Sequence, residues 1–147
     1  GDIAKAADMF SEHLVWRRRV FPISLTGHVA DLLEDGRRFQ KVGISSDGLP
    51  VMMIDFMWGY FLDPGYSALE CLQAALHFIE TEIQAAEADG AQQVYVISYG
   101  GPPPLDFAAA LASVLEANYP ERLRRAVIYP VPKMVARFVR AMLWFLD

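Results

Sequence analysis

The sequence has one cysteine, three histidines and no long uninterrupted apolar run. The lone Cys71 excludes an internal disulfide framework and fits a reducing compartment. No stretch approaches the roughly 18 apolar residues of a membrane-spanning helix, and the start lacks a signal-peptide pattern. A cytoplasmic location is therefore expected. Positive charge is also scarce: the net charge of −5 gives a polyanion nothing to hold, so nucleic acid is not an expected partner.

The signatures of catalysis are missing as well. Ser98 follows an apolar run and precedes Gly100, but the nucleophile elbow requires a glycine at 96, where this chain has Val96. His13, His28 and His77 all precede Ser98, whereas that class of hydrolase places its histidine after the serine. There is no phosphate loop and no dinucleotide fingerprint. Cys71 and His77 stand singly, without metal-ligand spacing. The expectation is a protein that is not an enzyme and carries no cofactor or metal.

What the chain has in excess is oil. Hydrophobic residues make up 54% of it without counting glycine, above the usual ~45–50% that includes glycine. A packed core does not require that surplus; an apolar cavity or surface does, and so does a fragment cut from a larger domain. The surplus is concentrated in the last thirty residues, Asn118 to Asp147. Pro120 fixes the backbone of the Tyr119-Pro120-Glu121 turn, and residues 126–129 suit a short buried strand. Pro130 and Pro132 end that strand, and a strongly apolar helix follows. On this helix Lys133, Arg137 and Arg140 form a narrow basic stripe, and Phe138 and Met142 belong to the oily remainder.

Taken in order, Asp2 caps a helix over residues 3–19 whose apolar stripe is Ile3, Ala7, Phe10 and Leu14. Continuing that register by three residues reaches Arg17, a charge at the end of an apolar face. It must snorkel to water or meet a carboxylate or a ligand phosphate. Val29, Leu32 and Leu33 mark a short helix. Residues 39–45 and 51–56 form a hairpin through Ser46-Asp47-Gly48, with Pro50 at the mouth of its second strand. Met52, Met53, Phe56, Met57 and Trp58 make a soft cluster suited to core filling or to an apolar site.

A long scaffold helix is expected over residues 65–87, opened by Asp63-Pro64. Its buried stripe is Leu69, Leu72, Leu76, Ile79 and Ile83, and Glu70, Gln73, Glu80, Gln84 and Glu87 form its wet face. Residues 94–99 read as a strand, 105–117 as a helix and 126–129 as a strand, which makes a parallel βαβ unit. The fold class is α/β, a small mixed, partly parallel sheet flanked by helices.

The order Tyr119-Pro120-Glu121-Arg122-Leu123, apolar strand, proline, helix, Phe145-Leu146-Asp147 resembles the CRAL-TRIO lipid-binding domain family. The resemblance extends back through residues 47–51 (DGLPV) to residues 6–19 (AADMFSEHLVWRRR), so it covers nearly the whole chain. It implies a single domain over 1–147. Residues 1–20 would end an N-terminal helical part and 38–147 would form the lipid-binding core. The family's later gate and a last strand would fall beyond Asp147, so the domain reads as truncated at its C-terminus.

In that family the sheet is the floor of a lipophilic pocket, and Phe138 and Met142 would belong to a movable gate over it. Arg17, following Trp16, and Glu121 would serve the head group of a phosphatidylinositol-like ligand; a salt bridge between the two is the plainer alternative. Met53, Val96, Ser98 and Phe107 would line the apolar pocket. The implied ligand is a phospholipid or isoprenoid, held without bond chemistry and exchanged at a membrane surface. The second reading is an interaction module that buries its apolar C-terminal helix against protein partners.

Overall fold

The computed structural model describes residues 3–34, 36–55, 65–88, 90–91, 93–100 and 105–129. Its elements run α1 (Ile3–Val20), α2 (His28–Glu34), β1 (Phe39–Ile44), β2 (Pro50–Asp55), α3 (Ala68–Ala88), β3 (Val94–Tyr99), α4 (Leu105–Asn118) and β4 (Leu123–Tyr129). Residues 130–147, with Phe138 and Met142, lie outside the described residues, as do Phe56, Met57, Trp58 and Asp63-Pro64.

The four strands form one sheet in the order β1-β2-β3-β4. β1 and β2 are antiparallel, and β2–β3 and β3–β4 are parallel. The hairpin closes where sequence chemistry places it. The Ser45 amide donates to the Leu49 carbonyl at 2.8 Å, the Gly48 amide donates to the Ser45 carbonyl at 3.0 Å, and Gly48 takes φ +82°. That left-handed conformation is one a side chain would resist. Each parallel pair then needs a crossover longer than a hairpin, and α3 and α4 supply them. The expected α/β class and the parallel βαβ unit are both present.

The strands alternate faces, and register assigns the sides. Met52 and Ile54 share a face with Val96 and Ser98. Here all four helices pack, with Leu32, Cys71, Ala75, Ile79 and Phe107 among the core residues and Trp16 against them. The opposite face carries three cross-strand rows: Val51–Tyr95–Arg125, Met53–Ile97–Val127 and Asp55–Tyr99–Tyr129. None of these nine residues belongs to either core cluster.

Four expectations change. α3 begins at Ala68, because Ser67 and Glu70 form a capping box: Ser67 Oγ accepts from the Glu70 amide at 3.2 Å, and Glu70 Oε2 accepts from the Ser67 amide at 2.8 Å. Its buried face joins the expected Leu76, Ile79 and Ile83 to Cys71, Ala74 and Ala75, small side chains that let the helix close onto the sheet, and Leu69 is left exposed. β4 starts at Leu123, earlier than the apolar run alone indicates. The α1 stripe is not a buried stripe: the helix buries no residue fully, and Ile3, Phe10 and Leu14 are exposed while Trp16, Arg17 and Val20 turn inward.

Candidate functional site

The turn from Tyr119 to Leu123 leads from α4 into β4, and a polar network under it fixes its position. Arg17 reaches from the last turn of α1 to α3, its Nη2 donating to Glu80 Oε1 at 2.5 Å. Gln84 Nε2 donates to the same oxygen at 2.8 Å, and Tyr119 Oη donates to Glu80 Oε2 at 2.6 Å. Glu80 is 7% exposed. It was expected on the wet face of its helix, and it is instead the hub of this cluster.

The helical spacing explains the location: Leu76, Ile79, Glu80 and Ile83 fall at i, i+3, i+4 and i+7, so Glu80 lies on the packed face. A buried carboxylate needs partners, and Glu80 has three donors. The expected alternative pairing of Arg17 with Glu121 is thereby corrected, since Arg17 meets a carboxylate, but that of Glu80.

Aromatic rings enclose the network. The Arg17 guanidinium lies 5.2 Å from the centroid of the Phe21 ring. Trp16 meets Phe21 and Tyr119 edge-on at 5.6 and 6.0 Å. Burial pushes the Glu80 carboxyl upward, but hydrogen bonds from Arg17, Tyr119 and Gln84 outweigh it and hold the group below its ordinary range. Burial, reinforced by the bond to Glu80, raises the Tyr119 hydroxyl, which therefore stays a donor.

Glu121 stands at the tip of the turn with φ 60°, in the left-handed region. A non-glycine residue there costs on the order of 1–3 kcal/mol. Its carbonyl accepts from Gln93 Nε2 at 2.9 Å. Its exposed carboxylate has no partner among the described residues.

Two depressions flank Tyr119 and Pro120. An apolar cleft of about 400 Å³ lies between α3, α4 and β3, with Met52, Ile83, Val96 and Leu115 in its wall and Glu121 and Arg122 at its rim. A groove of about 470 Å³ runs under α1, lined by Phe10, His13, Arg17, Glu80 and Arg122. The structure thus brings Val96 and Glu121 to one cleft and places Arg17 in the adjacent groove. Met53 lies apart from Val96, on the opposite face of the sheet. Ser98 faces the helices, and Phe107 is packed in the core at 2% exposed.

Residues that the sequence reading passed over complete the far face of the sheet. Ile97 and Val127 flank one another beside Met53, and Tyr99 and Tyr129 stack with centroids 6.4 Å apart. The face is half-buried along β2 and β3 apart from the buried Asp55, and it opens at β4, where Tyr129 is 63% exposed. Alternation in residues 94–99 and 123–129 is the signal that separates the two faces. No cluster of histidine, cysteine, aspartate and glutamate among the described residues could hold a metal ion. No helix among them is long and apolar enough to cross a membrane.

The chain folds like Sfh5. The crystal structure of Sfh5 matches with a TM-score of 0.74 at 10% sequence identity, over 99% of this chain and 56% of that one. The likeness is one of fold, and the chain spans little more than half the length of that protein. No protein-family model matches the chain, and no curated protein does.

Proposed function

We propose that this chain binds one lipophilic molecule, a phospholipid or isoprenoid, against the face of the sheet that carries Met53, Ile97 and Val127, and releases it at a membrane. One observation carries this reading: among the described residues the sheet packs helices on one side and turns a second, largely apolar side away from both core clusters. The three strands that carry these rows, about 4.8 Å apart, make a floor roughly 10 Å wide, and Arg125 to Tyr129 adds about 13 Å of length. That area suits an acyl or prenyl chain. Each 100 Å² of apolar surface the ligand buried would contribute about 2.5 kcal/mol before the cost of immobilising it. The resemblance to the CRAL-TRIO family and the Sfh5-like fold support the same use of the sheet.

The polar head would lie at the end of the floor where β3 and β4 begin, beside the Tyr119–Leu123 turn. The Glu121 carboxylate takes no part in this reading, because it lies at the rim of the cleft on the helix-packed side. Arg17 acts through Glu80, by holding Tyr119 and hence the turn. Native mass spectrometry of the purified chain with lipid extraction tests the proposal. Stoichiometric phospholipid or isoprenoid is the expected result; a chain that stays empty after exposure to mixed vesicles overturns it.

A second reading rests on a different observation. Ile3, Phe10 and Leu14 form an exposed apolar stripe on α1, Ile3 being 85% exposed. Such a stripe is what an interaction module presents to a protein partner.

A further inference from the structure

The face of the sheet that neither core cluster includes is not uniform along its length. Its middle row, Met53–Ile97–Val127, is wholly apolar, and its far row ends in the stacked tyrosines 99 and 129. The row nearest the Tyr119–Leu123 turn is Val51–Tyr95–Arg125, so one end of the floor carries a cation. Arg125 is exposed, and its guanidinium has no partner among the described residues.

The other charges at this end are already engaged or face away. Tyr95 Oη donates to Asp47 Oδ2 at 2.9 Å, and Ser45 Oγ donates to Asp47 Oδ1 at 2.6 Å. Arg124 lends Asp47 further positive potential. Glu121 lies at the rim of the cleft on the helix-packed side. Asp55, the acidic residue of the face itself, belongs to the opposite row, four residues and about 13 Å along the strand.

We propose that the ligand is an anionic amphiphile, oriented with a carboxylate or phosphate on Arg125 and its apolar body laid over Met53, Ile97 and Val127 toward Tyr99 and Tyr129. This rests on the preceding reading of the sheet face and names the class of lipid that face selects. Arginine suits the task because its planar fork pairs two oxygens of a carboxylate or phosphate at once. A neutral or zwitterionic lipid would still gain the apolar contacts but would leave that cation unmatched. Charge therefore decides preference, and apolar area decides whether anything binds.

The test incubates delipidated full chain with an equimolar mixture of oleate, dioleoylphosphatidic acid, dioleoylphosphatidylcholine and retinol, and reads occupancy by native mass spectrometry. The expected result is about a tenfold preference for oleate or phosphatidic acid over phosphatidylcholine, the effect of one charge-assisted hydrogen-bond pair. Oleate alone would mark a free carboxylate as the recognised group, and phosphatidic acid alone a lipid phosphate; either supports the inference. Arg125→Gln should abolish the preference while retinol uptake stays unchanged, and Arg125→Lys should restore most of it. Equal uptake of phosphatidylcholine and the anions by the wild type overturns the inference and leaves lipid binding standing. Loss of retinol together with the anions in Arg125→Gln also overturns it, by making Arg125 structural. Failure of every lipid to bind overturns lipid binding itself.

Discussion

Met52 and Met53 are neighbours in the chain and lie on opposite faces of the sheet. Met52 registers with Val96 and is fully buried under the helices, whereas Met53 registers with Ile97 on the face that neither core cluster includes. Successive strand residues point to opposite sides, so one residue of sequence separates core from candidate binding floor. A side chain of the same chemistry is packed in the core at one position and lies outside both core clusters at the next.

The two methionines should therefore respond differently to substitution. Met52→Ala removes fully buried atoms and should cost about 2–4 kcal/mol in urea unfolding. Met53→Ala should cost about 1 kcal/mol or less, while Met53→Asp should leave the fold intact and strip bound lipid. Equal destabilisation by the two alanine variants would show that both faces belong to the core.

Glu80 should matter more to stability than any carboxylate on the helix surfaces. Glu80→Ala leaves the Tyr119 hydroxyl without its acceptor in a buried place and frees Arg17, a loss of about 2–3 kcal/mol. Glu121→Ala, with no partner to strand, should change stability by about 0.5 kcal/mol or less. Chemical denaturation of both variants beside wild type measures the contrast.

Most of the scaffold is written in the sequence because periodicity and turn chemistry are local. The hairpin through Ser46-Asp47-Gly48, the strand at Val94–Tyr99 and the parallel βαβ unit follow from alternation, a turn triplet and short connections. The Arg17 position was legible as a charge on an apolar register, but its partner was not. Glu80 is 63 residues away in sequence, and only its place among Leu76, Ile79 and Ile83 hints at burial. Arg124 and Arg125 hid the start of β4, because two adjacent arginines carry no apolar signal. Which strand residues share a floor depends on pairing register, and one residue of slip exchanges the faces. That is why Met53 could be grouped with Val96 and Ser98 from sequence and is separated from both in the fold.

Acid should loosen the turn before it unfolds the sheet. The folded Glu80 carboxyl titrates below its ordinary value of 4.5, so its contribution to stability is complete above that value. The contribution is lost as pH falls through the lower, folded value. Wild type and Glu80→Gln should accordingly differ most above about pH 5 and converge as pH falls well below the ordinary carboxylate range. Melting temperatures of both chains across that range would show it. A difference that grows on acidification would mean the carboxyl is raised in the fold instead.

Arg17 and Arg125 should separate positioning from selection. Arg17 is engaged by Glu80, so Arg17→Ala should lower stability and reduce loading of anionic and neutral lipids alike, because both depend on the same turn. A double-mutant cycle of Arg17→Ala with Glu80→Gln should return a coupling of about 1 kcal/mol, the scale of a partly exposed, hydrogen-bonded ion pair. Arg125→Gln, on the open face and without a described partner, should instead leave unfolding unchanged and alter only which lipid is retained. Should Arg17→Ala spare neutral lipid and lose only the anionic one, Arg17 would touch the head group directly, and Glu80 would be a partner it gives up when ligand enters.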